Sequence, residues 1–308
     1  MKKIKLGNTN IEVPAVAVGC MRYNKFTPDQ MAHMIHTAVD LGANFFDNAD
    51  IYGAGDSERV FGEALKKDPS IHREDLILQT KCGIIIGSHY DNSKDYILKS
   101  VDESLERLNT DYLDVLLLHR PDALVEPEEV AEAFDILHSS GKVRYFGVSN
   151  HKPIQIELLK KYVSQPILIN QLQFSVQASS MIANGLEVNM TTDGAVSRDE
   201  DVLDWSRLND VTIQAWSPFQ THDRTGVFIG DTKRFPELNK VLDELAEKYN
   251  VTPTTIAAAW ILRHPANMQV LAGTTKEDRL KQIVDACDIK LTREEWYKLY
   301  LAAGHPLL

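Results

Sequence analysis

Eight short apolar runs, each followed by a segment of helical periodicity, predict a (β/α)8 barrel for this 308-residue chain. The runs are mainly apolar rather than strictly alternating, as strands covered on both faces are. Helical segments separate them, which calls for parallel pairing. Several runs stop at a polar or ionisable residue, the pattern expected where a barrel builds its site at the strand ends. A doubly wound open sheet is the competing arrangement. Its usual Gly-x-Gly-x-x-Gly turn has one near match, Gly53-Ala54-Gly55-Asp56-Ser57-Glu58, which lacks the third glycine. No linker, low-complexity tract or shift in composition divides the chain, so residues 1–308 read as one domain.

The elements follow in order. Residues 3–6 and 10–13 alternate around Gly7 and Asn8, a hairpin able to close the bottom of a larger body. Residues 15–19 are the first buried strand. Thr27 then caps a helix with Pro28 at its first position and Gln30 completing a capping box, and Gly42 ends it. Residues 43–46 lead to a helix over 57–67, and 76–79 to a helix over 93–108, whose Ile97, Val101, Leu105 and Leu108 form one apolar stripe. Residues 112–118 precede a helix over 127–140, and 143–148 precede one over 153–163. Residues 167–170 are followed by a helix over 200–208, and 211–215 by two consecutive helices, 236–249 and 253–264. Residues 270–271 precede the eighth helix, 276–286, and Thr292 with Glu295 caps one more.

Charge and cysteine usage exclude several classes of function. A net charge of −11 does not suit a nucleic acid or an anionic membrane, which need a concentrated cationic face. No apolar run approaches the length of a membrane span. The basic start is broken by Asn8, Thr9, Asn10 and Glu12, where a secretory signal would be apolar. Cys20, Cys82 and Cys287 are an odd number without Cys-x-x-Cys spacing, which fits reduced thiols and a cytoplasmic protein. No zinc spacing, nucleophile elbow or Walker loop occurs; His33 and His36, three apart on one helix, read as a solvated face.

The chemistry collects where strands end. Asp47 and Tyr52 follow the second strand, Lys81 the third and His119 the fourth, and a barrel brings such positions together however far apart they are in sequence. A phenol and a carboxylate at one strand end suggest proton transfer, although a packed ring and a helix-capping Asp would leave the same trace. The segments Phe46-Asp47-Asn48-Ala49-Asp50-Ile51-Tyr52-Gly53, Thr80-Lys81-Cys82-Gly83, Leu116-Leu117-Leu118-His119-Arg120-Pro121-Asp122 and Gly147-Val148-Ser149-Asn150 closely resemble the aldo-keto reductase family. The likeness runs from about Ile4 to the end of the chain. Leu291-Thr292-Arg293-Glu294-Glu295-Trp296 resembles a bacterial branch of oxidoreductases within it.

That resemblance implies NADPH-dependent reduction of aldehydes or ketones to alcohols. Tyr52 is then the general acid, Lys81 lowers its pKa, Asp47 pairs with Lys81, and His119 orients the carbonyl. Free tyrosine, with a pKa near ~10, is a reluctant acid at neutral pH, so a neighbouring cation suits the task. The resemblance further implies a nicotinamide site at Ser149, Asn150 and Gln171, with Trp216 stacked on the ring and Ser217, Pro218 and Phe219 starting a loop over the pyrophosphate. Cys20, Met21 and Asp47 are assigned to the cofactor's edge. Gly273, Thr274, Thr275, Arg279 and Gln282 take its adenosine end, where Thr274 and Arg279 meet the 2′-phosphate at a helix N-terminus. Gly273 stands where many relatives carry a lysine, so NADH is a further expected cofactor. Met21, Tyr23, Tyr52, His119 and Trp216 are expected to line the substrate pocket, whose aromatic bias suits an apolar carbonyl compound. No metal is expected. A cofactor-sensing regulatory subunit on the same fold is the alternative, and a metal-dependent barrel hydrolase a third reading.

Overall fold

The computed structural model describes residues 1–307; Leu308, the end of the expected domain, lies outside the described residues. An antiparallel hairpin, β1 (Lys3–Lys5) and β2 (Glu12–Pro14), precedes the barrel and pairs Lys3 with Pro14. β3 (Val16–Gly19) is followed by α1 (Pro28–Asp40), β4 (Phe45–Asp47) by α2 (Asp56–Lys67), and β5 (Ile77–Cys82) by a small hairpin, β6 (Ile84–Ile85) and β7 (His89–Tyr90), and then α3 (Lys94–Leu108). β8 (Leu113–Leu118) leads to α4 (Pro127–Ser139), β9 (Val143–Ser149) to α5 (Pro153–Lys160), and β10 (Ile167–Gln173) to α6 (Ser180–Leu186) and α7 (Val202–Leu208). β11 (Thr212–Trp216) precedes α8 (Pro236–Tyr249) and α9 (Pro253–Leu262), and β12 (Gln269–Ala272) precedes α10 (Glu277–Asp285) and α11 (Arg293–Ala302).

The wall closes in the order β3-β4-β5-β8-β9-β10-β11-β12, with every pair parallel and β12 returning to β3. This is the expected (β/α)8 barrel. The hairpin seals its N-terminal end: the Gly7 amide donates to Thr212 Oγ1 at 2.7 Å, that hydroxyl donates to the Lys5 carbonyl at 3.2 Å, and Ile4 and Leu6 are buried. The capping boxes at Thr27 and Thr292 form as read, with Pro28 opening α1. α11 is fixed to α9 by two tryptophans stacked 4.7 Å apart, each indole N–H donating to the other's carbonyl.

Differences from the sequence reading fall where apolar patterning is weak. β10 runs on to Gln173, because Gln171 and Gln173 pair in register with β11 although neither is apolar. The helix expected over 200–208 starts at Val202, since Glu200 and Asp201 hold left-handed backbone. The short α6 and the β6–β7 hairpin have no counterpart in the reading; each is too brief to show a period.

Candidate active site

The second strand's exit builds the reactive corner. β4 ends at Asp47, and the chain then turns through Tyr52 on a tight one-turn helix with Gly53 and Ala54 both at positive φ. A side chain at Gly53 would lie 2.4 Å from Asn24 Cβ, so the backbone there comes too close to its neighbour for any other residue. β5 points Lys81 inward beside Asp47. The Lys81 ammonium donates to Asp47 Oδ1 at 2.6 Å and to the Asn48 carbonyl at 2.6 Å, wholly buried. Its third proton is left for the phenol of Tyr52, whose ring centroid is 4.9 Å away. His119 follows β8, anchored by its amide on the Cys82 carbonyl, and its ring meets that of Tyr52 edge-on at 6.1 Å. The four sequence-predicted side chains thus share one end of the barrel.

The electrostatics of the corner are set by burial against one cation. Burial opposes the charge of Lys81, but Asp47 and Tyr52 outweigh it and hold the ammonium pKa above its ordinary value. For Tyr52, burial raises the phenol and Lys81 lowers it; burial wins, and the net direction is up. The expectation that Lys81 lowers Tyr52 therefore holds for the direction of its own contribution and not for the sum. The phenol stays protonated through neutral pH, the form a proton donor needs. Burial, then Lys81 and Arg120, push His119 well below the usual imidazole range, so its ring is neutral, and its Nδ1 has no partner among the described residues. A neutral imidazole beside a protonated phenol can hold an uncharged carbonyl oxygen without competing for its proton.

Beneath this corner the barrel interior is polar, which the sequence reading missed. Gln79, Gln171, Gln214 and Gln269 are buried together, where barrels ordinarily stack branched apolar side chains. Gln79 and Gln171 both donate to Asp47 Oδ1, at 2.5 and 3.0 Å. A usable signal existed for Gln79: it lies two residues before Lys81 on one strand, hence on the same inward face. An amide inside an apolar strand requires partners of its own kind.

Around the rest of the rim the expected nicotinamide residues form a second group. Ser149 donates its hydroxyl to the Gln171 carbonyl at 3.0 Å, Asn150 donates to Ser149 Oγ at 2.7 Å, and the Trp216 indole donates to Asn150 Oδ1 at 3.1 Å. Gln171 spends its amino group on Asp47 and Gln214, while its Oε1 accepts nothing among the described residues. Ser217 turns the chain at φ 52° and ties to Gln220, opening a loop that doubles back at Gln220 and Val227. Across the mouth, Gly273 has open space where a side chain would stand, and the N-terminus of α10 carries no side-chain cap. Thr275 and Arg279 are exposed there, Arg279 without hydrogen bond or ion pair among the described residues. Uncapped amides and an unpaired guanidinium fit a phosphate.

The sequence profile of the Aldo/keto reductase family matches residues 15–300. The chain belongs to the aldo/keto reductase family. It is 33% identical over 314 residues to an uncharacterised oxidoreductase, YcsN, of Bacillus subtilis, covering 98% of both chains. It is 34% identical to a 6-dehydroglucose reductase of Novosphingobium aromaticivorans, covering 97% of this chain and 94% of the relative. A thermostable aldo-keto reductase solved with the inhibitor epalrestat superposes with a TM-score of 0.78 at 26% identity, over 99% of this chain and all of that one. The chain is accordingly an oxidoreductase of a family that uses NAD(P)H.

Within this aldo-keto reductase, three of the residues expected to meet a ligand, Tyr23, Cys20 and Thr274, are buried. Tyr23 is fully buried: its hydroxyl donates to the Thr274 carbonyl at 2.8 Å and its ring stacks on Phe26, so it braces the loop at Gly273 and Thr274 and does not face the mouth. The Cys20 thiol is also sealed, donating toward the Val18 carbonyl at 3.7 Å. Thr274 is buried as well, with its hydroxyl accepting from the Lys276 amide. Met21, 52% exposed, remains at the mouth. Gln282 is half-buried, and its carbonyl accepts from Thr255. His33 and His36 are each tied to a carboxylate, Glu277 and Asp68, at 2.9 Å.

Proposed function

We propose that this chain reduces aldehydes and ketones to alcohols with NADPH, using Tyr52 as the general acid, Lys81 and Asp47 as the charged pair that sets it, and His119 to orient the carbonyl. The observation that carries the reading is the fully buried Lys81 ammonium, bonded to Asp47 and 4.9 Å from the Tyr52 ring. An ammonium is not kept in such a place for stability, since desolvation cancels much of what the pair returns.

When bound, a dihydronicotinamide supplies hydride to the carbonyl carbon. Tyr52 gives the carbonyl oxygen its proton, and the Lys81 ammonium stabilises the phenolate left behind. His119, neutral, holds the same oxygen by hydrogen bond. Ser149, Asn150 and the free Oε1 of Gln171 are suited to the carboxamide, and Trp216 to the ring face. Arg279 and the amides at the start of α10 are suited to a 2′-phosphate, which is the basis for preferring NADPH to NADH. Met21 and Trp216 are left to line the substrate side. A sensor without turnover has no need of a buried cation beside a phenol, and that reading is not favoured. Location in the cytoplasm, a small carbonyl compound as partner and the absence of nucleic-acid and membrane binding belong to the same proposal.

Initial rates with both cofactors test it, on a panel of aromatic aldehydes, aliphatic ketones and sugar aldehydes, the last because one relative is a 6-dehydroglucose reductase. Oxidation of NADPH that depends on the carbonyl compound is expected. Tight cofactor binding with no turnover on any class of carbonyl would contradict the proposal.

A further inference from the structure

The four buried glutamines form a directed chain. At the barrel floor Gln269 donates its amide to the Pro14 carbonyl at 2.6 Å. A backbone carbonyl only accepts, so this bond fixes which end of Gln269 faces downward and leaves its Oε1 facing Gln214. Gln214 must then present its amino group, and it donates to Gln269 Oε1 at 2.8 Å. That choice turns Gln214 Oε1 toward the mouth, where it accepts from Gln79 and from Gln171, both at 2.9 Å. Gln214 also donates to Gln79 Oε1 at 3.1 Å, closing a reciprocal amide pair. Only the remaining amino protons of Gln79 and Gln171 are left to meet Asp47 Oδ1, the same oxygen that accepts from Lys81. Flipping any one amide would set oxygen against oxygen at the next link, or set a carbonyl against the Asp47 carboxylate.

We propose that Gln79, Gln214 and Gln269 are positioning residues for proton transfer: a relay of carboxamides, oriented from the Pro14 carbonyl, that holds two N–H donors on Asp47 and so keeps its charge matched to Lys81. The relay rests on the reading of Tyr52 and Lys81 given above. It explains why a barrel interior carries amides where apolar side chains would pack without any orientation to maintain. It also sets a role for Gln269, which among the hydrogen bonds of the described residues touches none of Asp47, Tyr52, Lys81 or His119. Removing the donors takes positive potential away from the corner, so Tyr52 holds its proton more tightly and is a weaker acid.

The variants Gln214→Leu and Gln269→Leu test this, with two readouts: kcat for aldehyde reduction against pH, and the 13C ring resonance of Tyr52 titrated in the cofactor-free protein, assigned by its loss in Tyr52→Phe. Expected is a fall in kcat on the order of tenfold for Gln214→Leu, the loss of about one charge-assisted bond, and less for Gln269→Leu. In both variants the alkaline limb and the Tyr52 titration should move to higher pH. A residue that merely fills space would lower stability without moving either limb. Gln79→Leu, which leaves the floor of the barrel intact, must give the same upward shift if Gln214→Leu does not fold. Variants with unchanged kcat and unchanged limbs, beside an inactive Tyr52→Phe, would overturn the relay while leaving the acid in place. An active Tyr52→Phe would overturn both.

Discussion

The two halves of the barrel mouth are built on opposite principles. On the side of β4, β5 and β8, the Lys81–Asp47 pair is sealed and already bonded: Lys81 is fully buried and Asp47 2% exposed, with three donors on one carboxylate oxygen. On the side of β10, β11 and α10, the donors and acceptors are open: Gln171 Oε1 accepts nothing among the described residues, Arg279 is unpaired and the α10 amides are uncapped. On the function proposed above, the difference teaches that the setting of the acid is finished when the chain folds, whereas that of the nucleotide would be completed by the nucleotide. Preorganised charge is effective because no reorganisation is left to the moment of reaction. A phosphate, by contrast, needs partners not already committed elsewhere.

Substitutions that separate the halves should produce effects of very different size. Lys81→Met is expected to have the largest, lowering turnover by about 10²- to 10⁴-fold and stability by about 3–5 kcal/mol, since Asp47 is left buried without its cation. NADPH affinity should barely change, which equilibrium fluorescence titration can check; a parallel loss of affinity would show the halves to be one unit. Arg279→Ala should act on the other half alone, weakening NADPH by about 10- to 100-fold with NADH nearly unaffected. Equal losses for the two cofactors would remove Arg279 from the 2′-phosphate.

A smaller effect concerns Asp50, which sits between Tyr52 and the outer helices. Its Oδ2 accepts from Ser100 at 2.9 Å, while its Oδ1 is buried without a partner. Burial, partly offset by Ser100, raises its pKa to about 6. A carboxyl raised on folding contributes stability when protonated, and that contribution is lost as pH rises through about 6. Asp50→Asn should therefore stabilise the protein at pH ~8 by on the order of 2 kcal/mol and give little at pH ~4, read by urea denaturation. A gain of equal size at both values would mean that Asp50 carries no such penalty.

The fold was legible because each barrel strand lies in a mainly apolar run and most of the helices between them are long enough to show their period. The reactive corner was legible for a related reason: Asp47, Lys81 and His119 interrupt or end apolar runs, and the barrel leaves few places for such residues to go. What stayed hidden depends on direction and partner. Tyr23 follows a strand end as Met21 does, yet a short 3₁₀ turn (Cys20–Lys25) rotates it inward onto Thr274, and no pattern in six residues foretells that. Gln79, Gln214 and Gln269 lie in three separate strands, and their meaning arises only when the register sets Gln214 beside both Gln171 and Gln269. The net rise of the Tyr52 pKa is likewise a sum of burial and charge, which needs the packed environment to evaluate.

The most direct measurement is the rate of carbonyl reduction by Tyr52→Phe, taken with its NADPH dissociation constant and its melting curve. The variant keeps the ring beside Lys81 and removes only the proton to be donated. The account predicts unchanged folding, near-normal cofactor binding and turnover lower by orders of magnitude at every pH. Turnover within a few-fold of the unsubstituted protein would contradict it.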